Sequence, residues 1–417
     1  MGVLRSNKNV RNVWIAENIS VMGDYFTYVA LVGLVKDATD STFLVSLVYA
    51  AYVLPSFFLS PIAGPIVDKF DRRKIIVTIS LIQAFCGIGM LYANESRIWL
   101  AFLAQIVISS LSVAVVPAFG SALPNLTRND EELRQANVIF GSSWGAMVFI
   151  GSAVGGLFSA TFGRTATFAA DMATFVICAV MVWTIKVPMQ ERKSHEHREP
   201  VRPIADMREA FHYAKENKVI LALMASKTTF AVGAGAVSQL AVLAIDAFHT
   251  GDGGSGLLLA ARGVGSSVGP FLLMRFVRNN MPRLLTFCGL AGLIWGVLYL
   301  FAASSPTLWI AVILIGVAHL GGGAQWMMSN YGLQLVTPDN IRGRVLAGDM
   351  GFATLVMGIS SVGAGVLGEL FPIRIAIAII AAISGLASGA YLLGTIGLRR
   401  NLRSGLQPQS NAPRVGR

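Results

Sequence analysis

The chain has 417 residues, 54% of them apolar and 13% charged, about half the roughly 25% charged share of an ordinary soluble domain. That balance excludes a water-soluble enzyme, and the three cysteines, Cys86, Cys178 and Cys288, sit inside apolar runs where they supply neither a disulfide framework nor a zinc cluster. A formal charge of +11 admits nucleic acid, anionic lipid or membrane topology as its cause, and the placement of the charges decides among them.

In chain order, apolar runs broken by polar or Gly/Pro punctuation predict helices over 12–35, 42–67, 74–93, 98–120, 135–162 and 165–186. A second set follows at 218–247, 255–277, 283–303, 307–335, 343–369 and 373–397. These runs suffice to cross a bilayer, which takes about 20 apolar residues. The first carries Glu17, Asn18 and Asp24 without a small-residue cleavage site, so it reads as a retained helix and not a signal peptide. Residues 187–217 are the longest polar stretch and read as a linker, with an amphipathic segment at Ile204–Asn217; His195 and His197 there read as solvated loop residues, not a metal pair. From Leu398 onward Gly, Gln, Pro, Ser and Asn with scattered Arg point to a disordered tail. The predicted fold is an all-α membrane protein of twelve transmembrane helices. Two six-helix halves, 1–186 and 218–397, are joined by the 187–217 linker and followed by the 398–417 tail.

Twelve spans place both termini on one side. With that side cytoplasmic, 27 of the 33 Lys and Arg residues lie inside, 4 outside and 2 within spans. Such a bias is the positive-inside rule. The basic balance therefore belongs to topology, and nucleic acid is not an expected partner.

The chain also repeats. Gly-Pro occurs only at Gly64-Pro65 and Gly269-Pro270, 205 residues apart; Tyr92 answers Tyr299 at 207, and Gly141, Met147 and Gly155 answer Gly351, Met357 and Gly365 at 210. Two halves in the same orientation are the parallel repeat by which a transporter exposes a midplane cavity to either side in turn.

Ionisable residues inside spans cost at least about 2.5 kcal/mol each at the bilayer centre on insertion scales and so mark function. Asp24 lies about twelve residues into the first helix, roughly 18 Å at 1.5 Å per residue, near mid-membrane. It is the first candidate for a proton-binding or cation-binding carboxylate. Arg262 is its expected cationic partner, with Lys227 second, and a static salt bridge that fixes packing is the alternative reading of such a pair. Glu17 lies near the cytoplasmic end of the first helix, and His319 titrates near physiological pH in its unperturbed state. Asp349, just beyond Arg342 and Arg344, is expected as an acid of the cytoplasmic gate close to the loop arginines. Tyr25, Phe26, Phe140, Trp144, Phe230, Gln239, Gln325 and Trp326 are candidate lining for a substrate with apolar and polar parts. Gly321-Gly322-Gly323 follows no strand, and no phosphate-binding loop of the G-x-x-x-x-G-K-[ST] kind exists in the chain, so ATP hydrolysis is unsupported. No constellation of catalytic side chains appears, and no cofactor or metal is expected.

The segment Gly64-Pro65-Ile66-Val67-Asp68-Lys69-Phe70-Asp71-Arg72-Arg73-Lys74 closely resembles the loop signature of the major facilitator superfamily, written G-x-L-A-D-R-x-G-R-R. Asp68, Arg72 and Arg73 stand at its acidic and basic positions, and Asp71 replaces its second glycine. The resemblance implies that these residues latch the cytoplasmic gate. Ser20-Val21-Met22-Gly23-Asp24, Leu123-Pro124-Asn125 with Ala136-Asn137, and Pro338-Asp339-Asn340-Ile341-Arg342-Gly343-Arg344-Val345 look like the siderophore (enterobactin) exporter and macrolide-efflux branch. Gly151-Ser152-Ala153-Val154-Gly155-Gly156 is similar to the antiporter signature G-P-x-x-G-G, although the small residues Gly151, Gly155 and Gly156 also suit plain helix packing. Gln105 stands where many proton-coupled relatives carry arginine. The resemblance implies a monomer in the cell inner membrane with cytoplasmic termini. Its expected activity is proton-driven efflux of a drug-like or siderophore-like small molecule. An importer, a lysophospholipid or lipid flippase, and a non-transporting receptor or scaffold are the alternatives.

Overall fold

The computed structural model describes residues 2–190, 208, 212–277 and 280–404. His195, His197 and most of the expected linker lie outside the described residues. Twelve long helices carry the fold: α1 (Lys8–Thr39), α2 (Thr42–Lys69), α3 (Arg72–Leu91), α4 (Ile98–Leu126), α5 (Asp130–Phe162) and α6 (Arg164–Trp183). The second six are α7 (Lys218–Ala247), α8 (Gly251–Leu273), α9 (Met281–Ala303), α10 (Leu308–Val336), α11 (Asp339–Leu370) and α12 (Ile373–Gly394). All twelve contain a stretch long and apolar enough to cross a membrane.

Polar side chains set several starts, because the first turn of a helix leaves backbone N–H groups unpaired. Asn7 accepts from the N–H groups of Asn9 and Val10, Ser41 from Leu44, Asn129 from Glu132 and Asn280 from Arg283. Asp71, at the glycine position of the loop signature, accepts from the Lys74 N–H at 3.0 Å with φ −61°, so it acts as the cap of α3 and needs no left-handed turn. The signature spans the end of α2, which runs to Lys69 instead of stopping at residue 67, and the first turn of α3, which carries Arg72 and Arg73. A further short helix, α13 (Ile396–Arg403), occupies the start of the expected disordered tail. Its apolar Ile396, Leu398 and Leu402 alternate with Arg399, Arg400 and Arg403, and the Arg399 guanidinium holds the Thr286 hydroxyl at 3.0 Å. Residues 405–417 lie outside the described residues.

Helix pairing in the first six recurs six helices later. α2 packs on α4, α3 on α4 and α6, and α1 on α5 and α6; correspondingly α8 packs on α10, α9 on α10 and α12, and α7 on α11 and α12. The two halves meet along a seam in which α2 lies against α11 and α5 against α8. The seam is tight at the end remote from the termini and widens toward the end that holds them. Along α11, a Cβ at Gly368 would lie 2.9 Å from Thr42 Cβ and one at Gly365 2.9 Å from Phe43 Cα, whereas at Gly351 the nearest atom is a Phe57 ring carbon at 3.7 Å and at Gly343 nothing lies within 4 Å. Along α5 the contact with α8 stays close from Gly156, where a Cβ would meet Asp252 O at 2.8 Å, to Gly145, where it would meet Ser267 Oγ, and ends at Gly141, where it would meet nothing within 4 Å. The halves therefore enclose a cleft open at the terminal end and closed at the distal end.

One expected helix is not continuous. α7 is built from Lys218–Val232, Ala234–Ser238, Leu240–Val242 and a π turn Leu243–Ala247. The bare backbone at Gly233 admits the Trp295 ring, whose atoms would lie 2.5 Å from a Cβ there. The Ser360 hydroxyl of α11 inserts at the break, accepting from the Gly235 N–H at 3.1 Å and donating to the Val232 carbonyl. Such substitution of a neighbour's hydroxyl for lost ladder bonds lets irregular backbone persist inside a bundle.

Candidate transport cavity and gates

Asp24 on α1 is half-buried and makes no hydrogen bond or salt bridge among the described residues. Beside it, Gly23 leaves room for α6 to bring Asp171 and Thr174 against the α1 backbone. Asp171 is satisfied there: Thr27 donates to its Oδ2 at 2.6 Å and Thr174 to its Oδ1 at 3.2 Å. Asp171 is thus a packing carboxylate with two hydroxyl partners, and its charge acts on Asp24. Glu17, two turns along α1, is likewise half-buried and without a hydrogen bond or salt bridge among the described residues.

Arg262 on α8 does not pair with Asp24. No carboxylate among the described residues forms a salt bridge with it, its Nε has no hydrogen-bond partner, and its guanidinium carbon stands 6.0 Å from the Trp144 ring centre. The titratable groups in electrostatic reach of it include Tyr25 and Tyr28 of α1, Tyr49 and Tyr52 of α2, Tyr299 of α9 and His319 of α10. Tyr25, Tyr28, Tyr49 and Tyr52 form one aromatic cluster, with ring centres 6.2–6.3 Å apart. The sequence reading missed Tyr28, Tyr49 and Tyr52, although the i, i+3 spacing of Tyr25 with Tyr28 and of Tyr49 with Tyr52 places each pair on one helix face.

Lys227 makes the ion pair that Arg262 lacks. Its ammonium bonds Asp349 of α11 and the Asn330 amide oxygen of α10 at 2.7 Å, and stands 4.8 Å from the Trp326 ring centre. Both charges are buried, at 1% and 2% exposure. Asp349 therefore serves inside the second half and not beside the loop arginines. It lies about a turn and a half beyond Arg344, and the helix turns it toward α7 instead of the loop. His319 is buried with Nε2 at 2.8 Å from the Tyr299 hydroxyl and Nδ1 at 3.5 Å from Ser266 Oγ. Phe230, Trp295 and Tyr299 surround its ring at 5.8–6.2 Å.

The other expected lining residues divide. Trp144 is 47% exposed and faces Arg262. Phe26 packs on Gly155 and on the Phe158 ring at 6.0 Å, and Phe140 packs into the first half's core near the terminal end, so both are structural. Gln325 ties α10 to α7 by donating to Ser226 O at 2.5 Å and to Thr229 Oγ1 at 3.1 Å. Gln239 is fully buried at the α7 break with neither amide atom hydrogen-bonded. Gly151, Gly155 and Gly156 bring α5 against Met22, Tyr25 and Phe26 of α1 and, across the seam, against Asp252 and Gly256 of α8.

At the terminal end the signature arginines hold backbone. Arg72 donates to Ser121 O of α4 at 2.6 Å and to Met189 O at 3.1 Å, and Arg73 to Val187 O at 2.7 Å, the last two at the start of the linker that follows the first half. Arg342 donates to Thr337 O at 3.2 Å. A Cβ at Gly64 would meet nothing within 4 Å, and the side chain of Asp68 lies outside the described residues.

The distal end holds a latch that sequence reasoning did not find. The Arg164 guanidinium grips Asp252 with two bonds, Nε to Oδ2 at 3.0 Å and Nη2 to Oδ1 at 2.9 Å, and reaches Asp37 at 2.8 Å. Ser159 donates to the same Asp252 at 2.6 Å. Lys36 binds Asp246 at 2.9 Å and Asp40 at 2.7 Å, and its ammonium holds the Asp40 carboxyl below the usual carboxylate range. Glu369 accepts from the Ser41 hydroxyl at 2.7 Å, the Thr42 hydroxyl at 3.2 Å and the Phe43 N–H at 2.9 Å, at the start of α2 where helix N–H groups favour an anion.

Twelve apolar helices in two repeated halves around a cleft with a closed end define a multi-pass membrane transporter of the major facilitator fold. The chain belongs to the family described as transmembrane secretion effector, which it matches over residues 4–414. It is 25% identical over 340 residues to a Bacillus amyloliquefaciens protein named as a bacilysin exporter, covering 81% of this chain and 84% of that one. It is 22% identical over 223 residues to macrolide efflux protein A of Streptococcus pyogenes, covering 52% of this chain and 54% of that one. The crystal structure of a bacterial homologue of the human lysosomal transporter Spinster, inward-facing and unoccupied, superposes with a TM-score of 0.68 at 15% identity, covering 98% of this chain and 99% of that one, a likeness of fold alone.

Proposed function

We propose that the protein is a proton-driven exporter of amphipathic small molecules from the cytoplasm, with both termini cytoplasmic, so that the cleft open at the terminal end faces inward. The observation that carries the reading is Asp24: a half-buried carboxylate of α1, expected near mid-membrane, with no hydrogen bond or salt bridge among the described residues. Closing a low-dielectric cavity over an unpaired carboxylate is costly, and neutralising the group by a proton or a bound cation removes most of that cost. A carboxylate with that property couples closure to its occupant. Loaded with a proton from outside, Asp24 permits the return to the inward-facing state, where it releases the proton to the cytoplasm. The bias of Lys and Arg toward the terminal side supports the orientation, and the names of the relatives support the direction.

The reading is tested by accumulation of fluorescent amphiphiles in efflux-deficient bacteria that express the wild type or Asp24→Asn, with and without a protonophore. The wild type is expected to lower accumulation, and either the substitution or the protonophore should abolish the difference. Export that survives the protonophore sinks proton coupling. Export that survives Asp24→Asn but not the protonophore moves the coupling group to Glu17, the other unpaired acid of α1.

A further inference from the structure

One cation between the halves has no anionic partner within the described residues. Lys227 has Asp349, Arg164 has Asp252 and Asp37, and Lys36 has Asp246 and Asp40. Arg262 has no anion among the described residues, although it sits where the two halves meet. Around it the protein places groups that donate. The hydroxyls of Tyr28 and Tyr49 have no hydrogen-bond partner among the described residues, while those of Tyr25 and Tyr52 interact with each other. Tyr25, Tyr28 and Tyr49 are 4–6% exposed, so their rings are largely buried. Asp24 is not among the charges that act on Arg262. Trp144 adds a broad apolar face within 6.0 Å.

A guanidinium and phenol hydroxyls without acceptors form a set of donors that lacks one partner, an oxyanion. Arginine suits this work because its planar fork matches a carboxylate with two parallel bonds. Leaving such a cation uncompensated in a half-buried site is unfavourable unless a ligand completes it. We infer that Arg262, Tyr28 and Tyr49 form an anion subsite that takes a carboxylate of the transported molecule, whose apolar part lies against Trp144. The inference deepens the export reading by naming a substrate class, carboxylate-bearing amphiphiles. It leaves Asp24 free for the proton, on the first half of the cavity, while Arg262 holds the substrate from the second.

Binding requires no gradient, so it separates this inference from proton coupling. The protein is purified whole in detergent and titrated with three probes that share one fluorophore, dansylglycine with a carboxylate, dansylamide without charge and dansylcadaverine with an amine, read by energy transfer from tryptophan. Dansylglycine is expected to bind most tightly of the three. Arg262→Gln should weaken it by at least about tenfold, the scale of a lost charge-assisted bond, and Arg262→Lys should restore much of it. Tyr28→Phe and Tyr49→Phe should each weaken it by about threefold without changing dansylamide binding. Melting temperatures close to wild type establish that the variants fold, and the phenylalanine variants serve if Arg262→Gln does not. Dansylglycine binding that is absent, no tighter than that of dansylamide, or unaltered in Arg262→Gln and both phenylalanine variants overturns the subsite. Loss of protonophore-sensitive efflux with dansylglycine binding intact would overturn the coupling reading alone.

Discussion

Asp349 and Lys227 stand 122 residues apart in sequence and touch in space, and that separation is why neither was legible as half of a pair. A one-dimensional reading places Asp349 beside the nearest basic residues along the chain, Arg342 and Arg344; the helix instead turns it toward α7. Burial at 1% and 2% exposure decides the energetics. Removing one partner leaves the other charge unpaired, so Lys227→Met alone should lower stability by about 3–5 kcal/mol, whereas the double variant Lys227→Met/Asp349→Leu should lie much nearer the wild type. Thermal unfolding in detergent, followed by reaction of the exposed cysteines with a maleimide dye, reads both. A double variant as unstable as the single would mean that packing of the long Lys227 stem, and not charge, dominates the site. Asp24 was legible for the opposite reason: its meaning lies in having no partner, and an acid in an apolar run announces that by itself.

Among the elements, the twelve spans were readable because twenty apolar residues have few other uses, and the ends moved mainly where a cap or a polar turn extends a helix beyond its apolar stretch. Lys8–Thr39 begins four residues before the expected start because Asn7 caps it. The break in α7 was hidden. Gly233 and Gly235 are two of 43 glycines in the chain, and what interrupts the helix, Ser360, belongs to α11. A hydroxyl that serves two backbone groups at once is sensitive to loss. Ser360→Ala should destabilise the protein by about 1–3 kcal/mol, since it strands the Gly235 N–H and the Val232 carbonyl in a buried position. A melting temperature equal to that of the wild type would show that α7 holds its broken shape without α11. Discontinuous helices in transporters collect at binding sites, and here the break lies next to buried Gln239, whose amide has no partner. The tyrosine face was in plain view as two i, i+3 pairs, but its use depends on Arg262 arriving from the other half.

For the whole molecule, the balance between inward-facing and outward-facing states rests on the distal latch. Arg164 and Asp252 are 23% and 7% exposed, a half-buried, doubly bonded pair that α5 reinforces through Ser159. Asp252→Asn removes the charge and keeps the shape, so it should populate the state in which the distal end is open. With the native cysteines replaced and Ser46→Cys added as a reporter, at a position buried against Gly365 of α11 in the closed end, labelling by an impermeant maleimide should rise severalfold in Asp252→Asn. Unchanged labelling would mean that the close glycine contacts of α5 with α8, and not the ion pairs, keep the end shut. The two-half repeat was visible in the Gly-Pro spacing, but the latch was not, because Asp246 and Glu369 stand at the last turns of predicted spans and Asp252 in a short connection, where acids look ordinary one at a time.

The latch has a direction. The three acids that cross the seam, Asp246, Asp252 and Glu369, come from the second half, and the groups that meet them, Lys36, Arg164, Ser159, Ser41, Thr42 and the Phe43 N–H, come from the first; one neutral bond runs the other way, from the Ser361 hydroxyl to Ser46 O at 2.9 Å. Two copies of the first half would lack the three crossing acids, leaving Arg164 and Lys36 only their own Asp37 and Asp40, and two copies of the second would bring acids against acids. The halves share a fold but have ceased to be interchangeable: the ancestral symmetry survives in the backbone, while the polar chemistry of the closed end has become a lock and its key. A half that mispairs with its own kind during insertion or crowding forfeits the crossing bonds of the closed end.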